Sequence, residues 1–170
     1  MTDSRLAVVV LAAGQGTRMK SQTPKVLHRL AGVPLIGHVL ATARALDPAH
    51  VVAVVRHERD VVAAAISELD AHAIIADQDE IPGTGRAVEA ALAALPADFD
   101  GDVLVVSGDV PLLDADTLAG LLAEHRARAA AATVLSAVLD DATDFLPKPN
   151  TGDELAAKVR GRVDRLGVAR

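Results

Sequence analysis

An unbroken apolar run, Leu6 to Leu11, empties directly into Ala12-Ala13-Gly14-Gln15-Gly16-Thr17-Arg18, and no other stretch constrains the fold so strongly. A short β-branched run without charge reads as a strand buried on both faces, the kind found in parallel sheets covered by helices. Val51 to Val55 and Val103 to Val106 repeat the pattern, and His72 to Ala76 is a weaker version of it. Between these runs lie segments with helical spacing. They are Pro34 to Leu46, with Pro34 suited to a first helical position, and about Glu58 to Leu69. An alanine-rich helix follows Gly85 and ends near Leu95, and another runs from an Asp114 cap to about Arg128. Thr133 to Leu139 reads as a fifth strand. Strands alternating with helices imply right-handed βαβ crossovers. The expected class is α/β, a Rossmann-like and mostly parallel sheet with helices on both faces.

Composition agrees with that layering. The chain has 170 residues, enough for one domain with a sizeable core. It has two Phe, no Tyr and no Trp, but 34 Ala, so the core must be built from aliphatic side chains with helices packed close. Cysteine is absent, which excludes disulfides and thiolate metal sites. The sequence shows no membrane span and no signal peptide, and a cytoplasmic setting is expected. A net charge of −6 argues against a general nucleic-acid binder, so any anion site must be local. Charge is also uneven: residues 148–170 carry six basic and three acidic side chains in an otherwise acidic chain. Two prolines and a glycine between Phe145 and Gly152 precede a short helical pattern, Asp153 to Leu166.

Three loops carry the chemistry. Gly14 and Gly16 with Arg18, Lys20 and Lys25 form a glycine-rich, basic loop at a strand end, where backbone N–H groups and cations can hold polyphosphate. The third glycine of a dinucleotide fingerprint is replaced by Met19 and the second strand ends in Arg56, which argues against NAD or FAD. No Walker Gly-Lys-Ser/Thr occurs either. Without a ligand, the same glycines would simply make a tight βα turn. Asp109 follows the fourth strand in Ser107-Gly108-Asp109-Val110-Pro111. A carboxylate there can hold Mg²⁺ against phosphates or can merely shape the turn. Gln78 and the turn Gly83-Thr84-Gly85 follow the third strand. The amide offers a donor and an acceptor to a base edge, and Thr84 is also placed to cap the next helix. Asp98, Asp100 and Asp102 mimic a calcium loop, but its glycine position falls on Val103. The histidines show no metal-ligand spacing.

Leu11 to Met19, Pro24-Lys25-Val26-Leu27-His28, Gly83-Thr84-Gly85 before a helix, and Gly108-Asp109-Val110-Pro111-Leu112-Leu113 together resemble the uridylyltransferase domain of bacterial N-acetylglucosamine-1-phosphate uridylyltransferases. The first loop alone fits many nucleotidyltransferases, including guanylyl- and cytidylyltransferases. The later motifs are much narrower, and the resemblance covers about residues 5–139. It implies a nucleotide-diphospho-sugar transferase fold, here incomplete, that turns UTP and N-acetylglucosamine-1-phosphate into UDP-N-acetylglucosamine and pyrophosphate. It also implies that Leu11, Ala12, Ala13, Gly14, Gln78, Gly83 and Thr84 hold the nucleotide. Arg18 and Lys25 would neutralise the triphosphate, and Asp109 would bind Mg²⁺. Arg86 stands where the family has His. Residues 1–139 are thus expected to be the nucleotide-binding half, and residues 140–170 an unmatched tail. The family's later sugar contacts, strand pair and second metal ligand are not found. A chain so divided is expected to be an enzyme of this class or a fragment that binds UTP and Mg²⁺ without turnover. It would leave Val103 to Val106 as an exposed edge prone to self-association.

Overall fold

The computed structural model of the chain describes residues 3–14 and 21–136. Arg18, Lys20 and the tail from residue 137 lie outside the described residues. Four parallel strands form the sheet: β1 (Asp3–Leu11), β4 (Pro48–Val55), β5 (Ile74–Asp77) and β6 (Asp102–Ser107), in the order β5-β4-β1-β6. The strongest apolar run supplies the central strand. Val8, Val9 and Val10 are fully buried between Val51, Val52 and Ala53 on one side and Leu104, Val105 and Val106 on the other.

The layers follow from strand alternation. Leu6, Val8 and Val10 of β1 share one core with Val51, Ala53, Val55, Leu104 and Val106. Helices α1 (Leu35–Ala45), α2 (Arg59–Leu69) and α4 (Ala115–Ala127) contribute Ile36, Val39, Leu40, Val62, Ile66, Leu118 and Leu122 to it. On the opposite face Val9, Val52 and Val54 meet α3 (Thr84–Ala94) through Ala87 and Ala91. Alanine at those two positions lets that helix lie close to the strands. It covers β4, β5 and β1 but leaves Val103 and Val105 of β6 36% and 39% exposed.

Four expected strands and four expected helices are present within a few residues of their predicted ends. The fifth strand is not found in its described part. Residues 133–136 join no strand ladder among the described residues, Val134 is 84% exposed, and residues 137–139 lie outside the described residues. Propensity alone cannot make a strand without a ladder partner. Pro34 precedes α1 as its N-cap instead of opening it, because it closes a two-stranded hairpin, β2 (Arg29–Leu30) with β3 (Val33–Pro34). Its two-residue turn places Ala31 at φ 51° and Gly32 at φ 84°, both left-handed, as a type I′ turn requires. Asp114 caps α4 as expected, accepting a hydrogen bond from the Thr117 N–H at 2.7 Å.

Candidate functional site

All four strands end on one edge. Leu11 lies beside Val54 on one side and Ser107 on the other, and Val55 beside Asp77. The loops after them therefore form one rim. From β1 the order runs outward to β4 and β5 in one direction and to β6 in the other, so the topological switch lies between β1 and β6. Open α/β sheets bind ligands at that crevice. Gly14 follows one of these strands and Asp109 the other.

The two strand ends are tied together by backbone. The Gly108 N–H donates to the Leu11 carbonyl at 2.9 Å, and a Cβ on Gly108 would stand 3.0 Å from that oxygen. Glycine is what lets Asp109 approach the first loop so closely. The Ala12 N–H donates to Val54 O at 2.8 Å, fixing the other side of the same turn.

Lys25, in the short 3-10 turn Lys25–Leu27, reaches across the switch point and donates to Asp109 Oδ2. Ser107 Oγ donates to Asp109 Oδ1. Burial pushes the Asp109 carboxyl up, but the hydrogen bonds from Lys25 and Ser107 more than offset it and hold the group below the ordinary carboxylate range. Asp109 is therefore an anion at neutral pH with its side chain only 22% exposed. A pocket of about 140 Å³ opens on the Lys25 side, lined by Ala12, Gly14, Thr23, Lys25, His57 and Glu58, among others.

The loop after β5 is built around Gln78. Its side chain is buried, and Nε2 donates to the carbonyls of Ile81 at 2.9 Å and Gly83 at 3.2 Å. The amide donors expected to face a ligand are thus committed to shaping the loop. Gly83 has φ +135° and is the N-cap of α3, which corrects the capping role expected for Thr84. Thr84 is the first helical residue, and no side chain caps this helix. Arg86 holds the loop from outside, bonding Asp79 at 2.9 Å and Glu89 at 2.7 Å.

The fold thus brings Leu11 to Gly14, Lys25 and Asp109 together at one crevice and sets Gln78, Gly83 and Thr84 on the same rim. Three contributors escaped sequence reasoning. Ser107 supports Asp109, Arg56 donates to Glu80 O, and Arg59 pairs with Asp77 at 2.8 Å, so that the start of α2 braces the Gln78 loop. Of these, Ser107 alone carried a signal, its place immediately before Gly-Asp at a strand end. Among the described residues no three His, Asp or Glu side chains gather as a metal cage.

A Rossmann-like parallel sheet with Gly14, Lys25 and an ionised Asp109 at its switch point defines the class: a doubly wound α/β protein. More narrowly, the MobA-like NTP transferase domain family matches residues 8–142, and the chain belongs to that family. It is 71% identical over 166 residues to the bifunctional protein GlmU of Leifsonia xyli subsp. xyli (strain CTCB07), covering 98% of this chain and 33% of that protein. That alignment takes in residues beyond 139, in the segment expected to be an unmatched tail. Identity to the bifunctional protein GlmU of Clavibacter sepedonicus is 62% over 138 residues, 81% of this chain and 28% of that protein. The chain spans about a third of the length of these curated relatives. A solved structure, the homologue of Mycobacterium tuberculosis Rv0371c from Mycobacterium sp. strain JC1, superposes with a TM-score of 0.60 at 30% identity. That match covers 72% of this chain and 60% of the other.

Proposed function

We propose that the chain forms the nucleotide half of a sugar-1-phosphate uridylyltransferase, acting on UTP and N-acetylglucosamine-1-phosphate. The observation that carries the proposal is the meeting of Lys25 and Asp109 beside the Gly14 turn at the sheet's switch point. The high identity to GlmU proteins supports the choice of substrates. A phosphate oxygen of the sugar-1-phosphate attacks the α-phosphorus of UTP, and the bond to the bridging oxygen breaks to release pyrophosphate. No residue need form a covalent bond, so positioning and charge neutralisation do the work.

The turn from Leu11 to Gly14 and the Gln78 loop hold the nucleotide, with Gly83 and Thr84 at the base end. Because Nε2 of Gln78 is engaged by two carbonyls, its Oε1 is the part of the amide left to meet a base. An acceptor suits the N3–H of uracil and opposes the bare N3 of cytosine. Lys25, together with Arg18, neutralises the triphosphate. Asp109 fits a divalent cation: it is an ionised, half-buried carboxylate, a ligand type used by Mg²⁺ ions that keep their waters and lean on substrate phosphates. Asp109 would hold the Mg²⁺, which would supply positive charge to offset that of the phosphates. UTP and sugar phosphates are cytoplasmic metabolites, and the chain is assigned to that compartment. No helix among the described residues is long and apolar enough to cross a membrane.

Pyrophosphate release from UTP and N-acetylglucosamine-1-phosphate tests the proposal, with CTP and GTP as competitors. Release that is specific to UTP and lost in Asp109→Asn is expected. Tighter binding of CTP than UTP would refute the uracil assignment, and UTP binding without release would limit the chain to nucleotide capture.

A further inference from the structure

Lys25 and Asp109 lie 84 residues apart in the chain yet share a hydrogen bond at the crevice. Resting on the nucleotidyltransferase function above, we propose that Lys25 is an internal counter-ion for Asp109, which the triphosphate draws away so that a divalent cation takes the carboxylate more tightly. Lys25 would then have two successive partners.

Both carboxylate oxygens of Asp109 are occupied by this chain's own donors, Oδ2 by the Lys25 ammonium and Oδ1 by the Ser107 hydroxyl. A lone pair remains on each of those oxygens, but a divalent cation reaching it is repelled by the ammonium bound to the same group. Among the described residues no further acidic or histidine cluster offers it a site. This makes the crevice of the free protein a poor cation site, because the Asp109 carboxylate is already neutralised. A triphosphate changes both sides of that balance. It brings phosphate oxygens to the cation, and it gives Lys25 an anion of higher charge than a carboxylate. Lys25 also lines the pocket with Gly14, and its flexible four-carbon stem lets the ammonium swing there while the Lys25–Leu27 turn stays in place. Ser107 remains behind to hold Asp109 through Oδ1 while Oδ2 changes partner. Cation and nucleotide binding are then positively coupled, and the coupling is reciprocal. A cation arriving without nucleotide meets the Lys25 ammonium and binds weakly.

Electron paramagnetic resonance of free Mn²⁺, titrated into the full chain without nucleotide, tests the exchange. Lys25→Met is expected to bind Mn²⁺ about tenfold more tightly than the wild type, on the scale of one charge-assisted hydrogen bond released. Asp109→Asn should lose that binding. If Lys25→Met binds no tighter while Asp109→Asn still abolishes binding, the exchange is wrong and the cation site stands. If Asp109→Asn leaves Mn²⁺ binding unchanged, both the exchange and the cation site fail. Lys25→Gln, which keeps a polar side chain at this position, gives the same comparison should the Met variant misfold. Circular dichroism establishes which variants are folded.

Discussion

Replacing Gly83 and Gly85 separately by alanine should change stability in opposite directions, although the two glycines stand two residues apart. Gly83 has φ +135°, where a Cβ is strained even though no atom lies within 4 Å of the added carbon. The cost is therefore backbone strain, about 1–3 kcal/mol. Rotating the peptide to escape that strain would turn the Gly83 carbonyl away from Gln78 Nε2 and from the Ala87 N–H, 3.1 Å away. Each lost hydrogen bond costs about 1 kcal/mol, so relaxation recovers little. Taking about 2 kcal/mol, Gly83→Ala should lower the melting temperature by roughly 4–8 °C for a chain of this size. Gly85 lies in α3 with no positive φ and nothing within 4 Å of a Cβ. There alanine removes backbone entropy from the unfolded chain and should stabilise by several tenths to about 1 kcal/mol. Calorimetric melting gives both signs, and isothermal titration with UTP gives the functional arm. Gly83→Ala should weaken UTP about tenfold, because the loop that presents Gln78 is distorted, and Gly85→Ala should leave it unchanged. Equal melting temperatures for the two variants, or unchanged UTP affinity in Gly83→Ala, would refute the claim that this turn geometry holds the base loop.

Other consequences can be measured on the same protein. Burial pushes the Asp70 carboxyl up, but hydrogen bonds from Arg44 and the His72 N–H outweigh it and leave the pKa lowered. A carboxyl whose folded pKa is depressed adds stability above its unfolded value near 4 and loses it as pH falls through the folded value. Arg44→Met should therefore cost about 1–3 kcal/mol at pH 7, and its gap to the wild type should narrow below about pH 4. A gap that stays constant in acid would show that Arg44 acts through packing alone. At the sheet edge, no strand among the described residues pairs with the outer side of β6, where Val105 is 39% exposed. The wild type is expected to self-associate there, and Val105→Lys to sediment as a monomer. A wild type that is monomeric at every concentration in analytical ultracentrifugation would refute it.

The parallel sheet was legible because buried strands need unbroken apolar runs, and the runs beginning at Leu6, Val51 and Val103 have no competing interpretation. The site was legible in outline because each candidate stood just after such a run, so sheet topology brought them to one rim. Pairings between distant residues were not legible. Nothing in the local sequence says that Lys25 meets Asp109, or that Arg56 and Arg59 reach the Gln78 loop, because those contacts depend on strand order. The hairpin around Ala31 and Gly32 was missed since its strands are two residues each, too short to show periodicity. Thr84 was misplaced by one position because Gly83, with no side chain to cap with, takes the N-cap by its dihedral angles alone.

The central place of β1 also sets a timetable for synthesis. Val9 is made first, but its partners Val52 and Val105 lie 43 and 96 residues downstream. At roughly 5–20 residues per second, the ribosome needs about 3–10 s to pass from the first partner to the second. Throughout that interval the nascent chain holds a half-paired valine strand whose free side has nowhere native to go. Holding factors and slow translation across residues 53–105 would act on that interval, and a ribosome stalled within it would display the most adhesive form this chain takes.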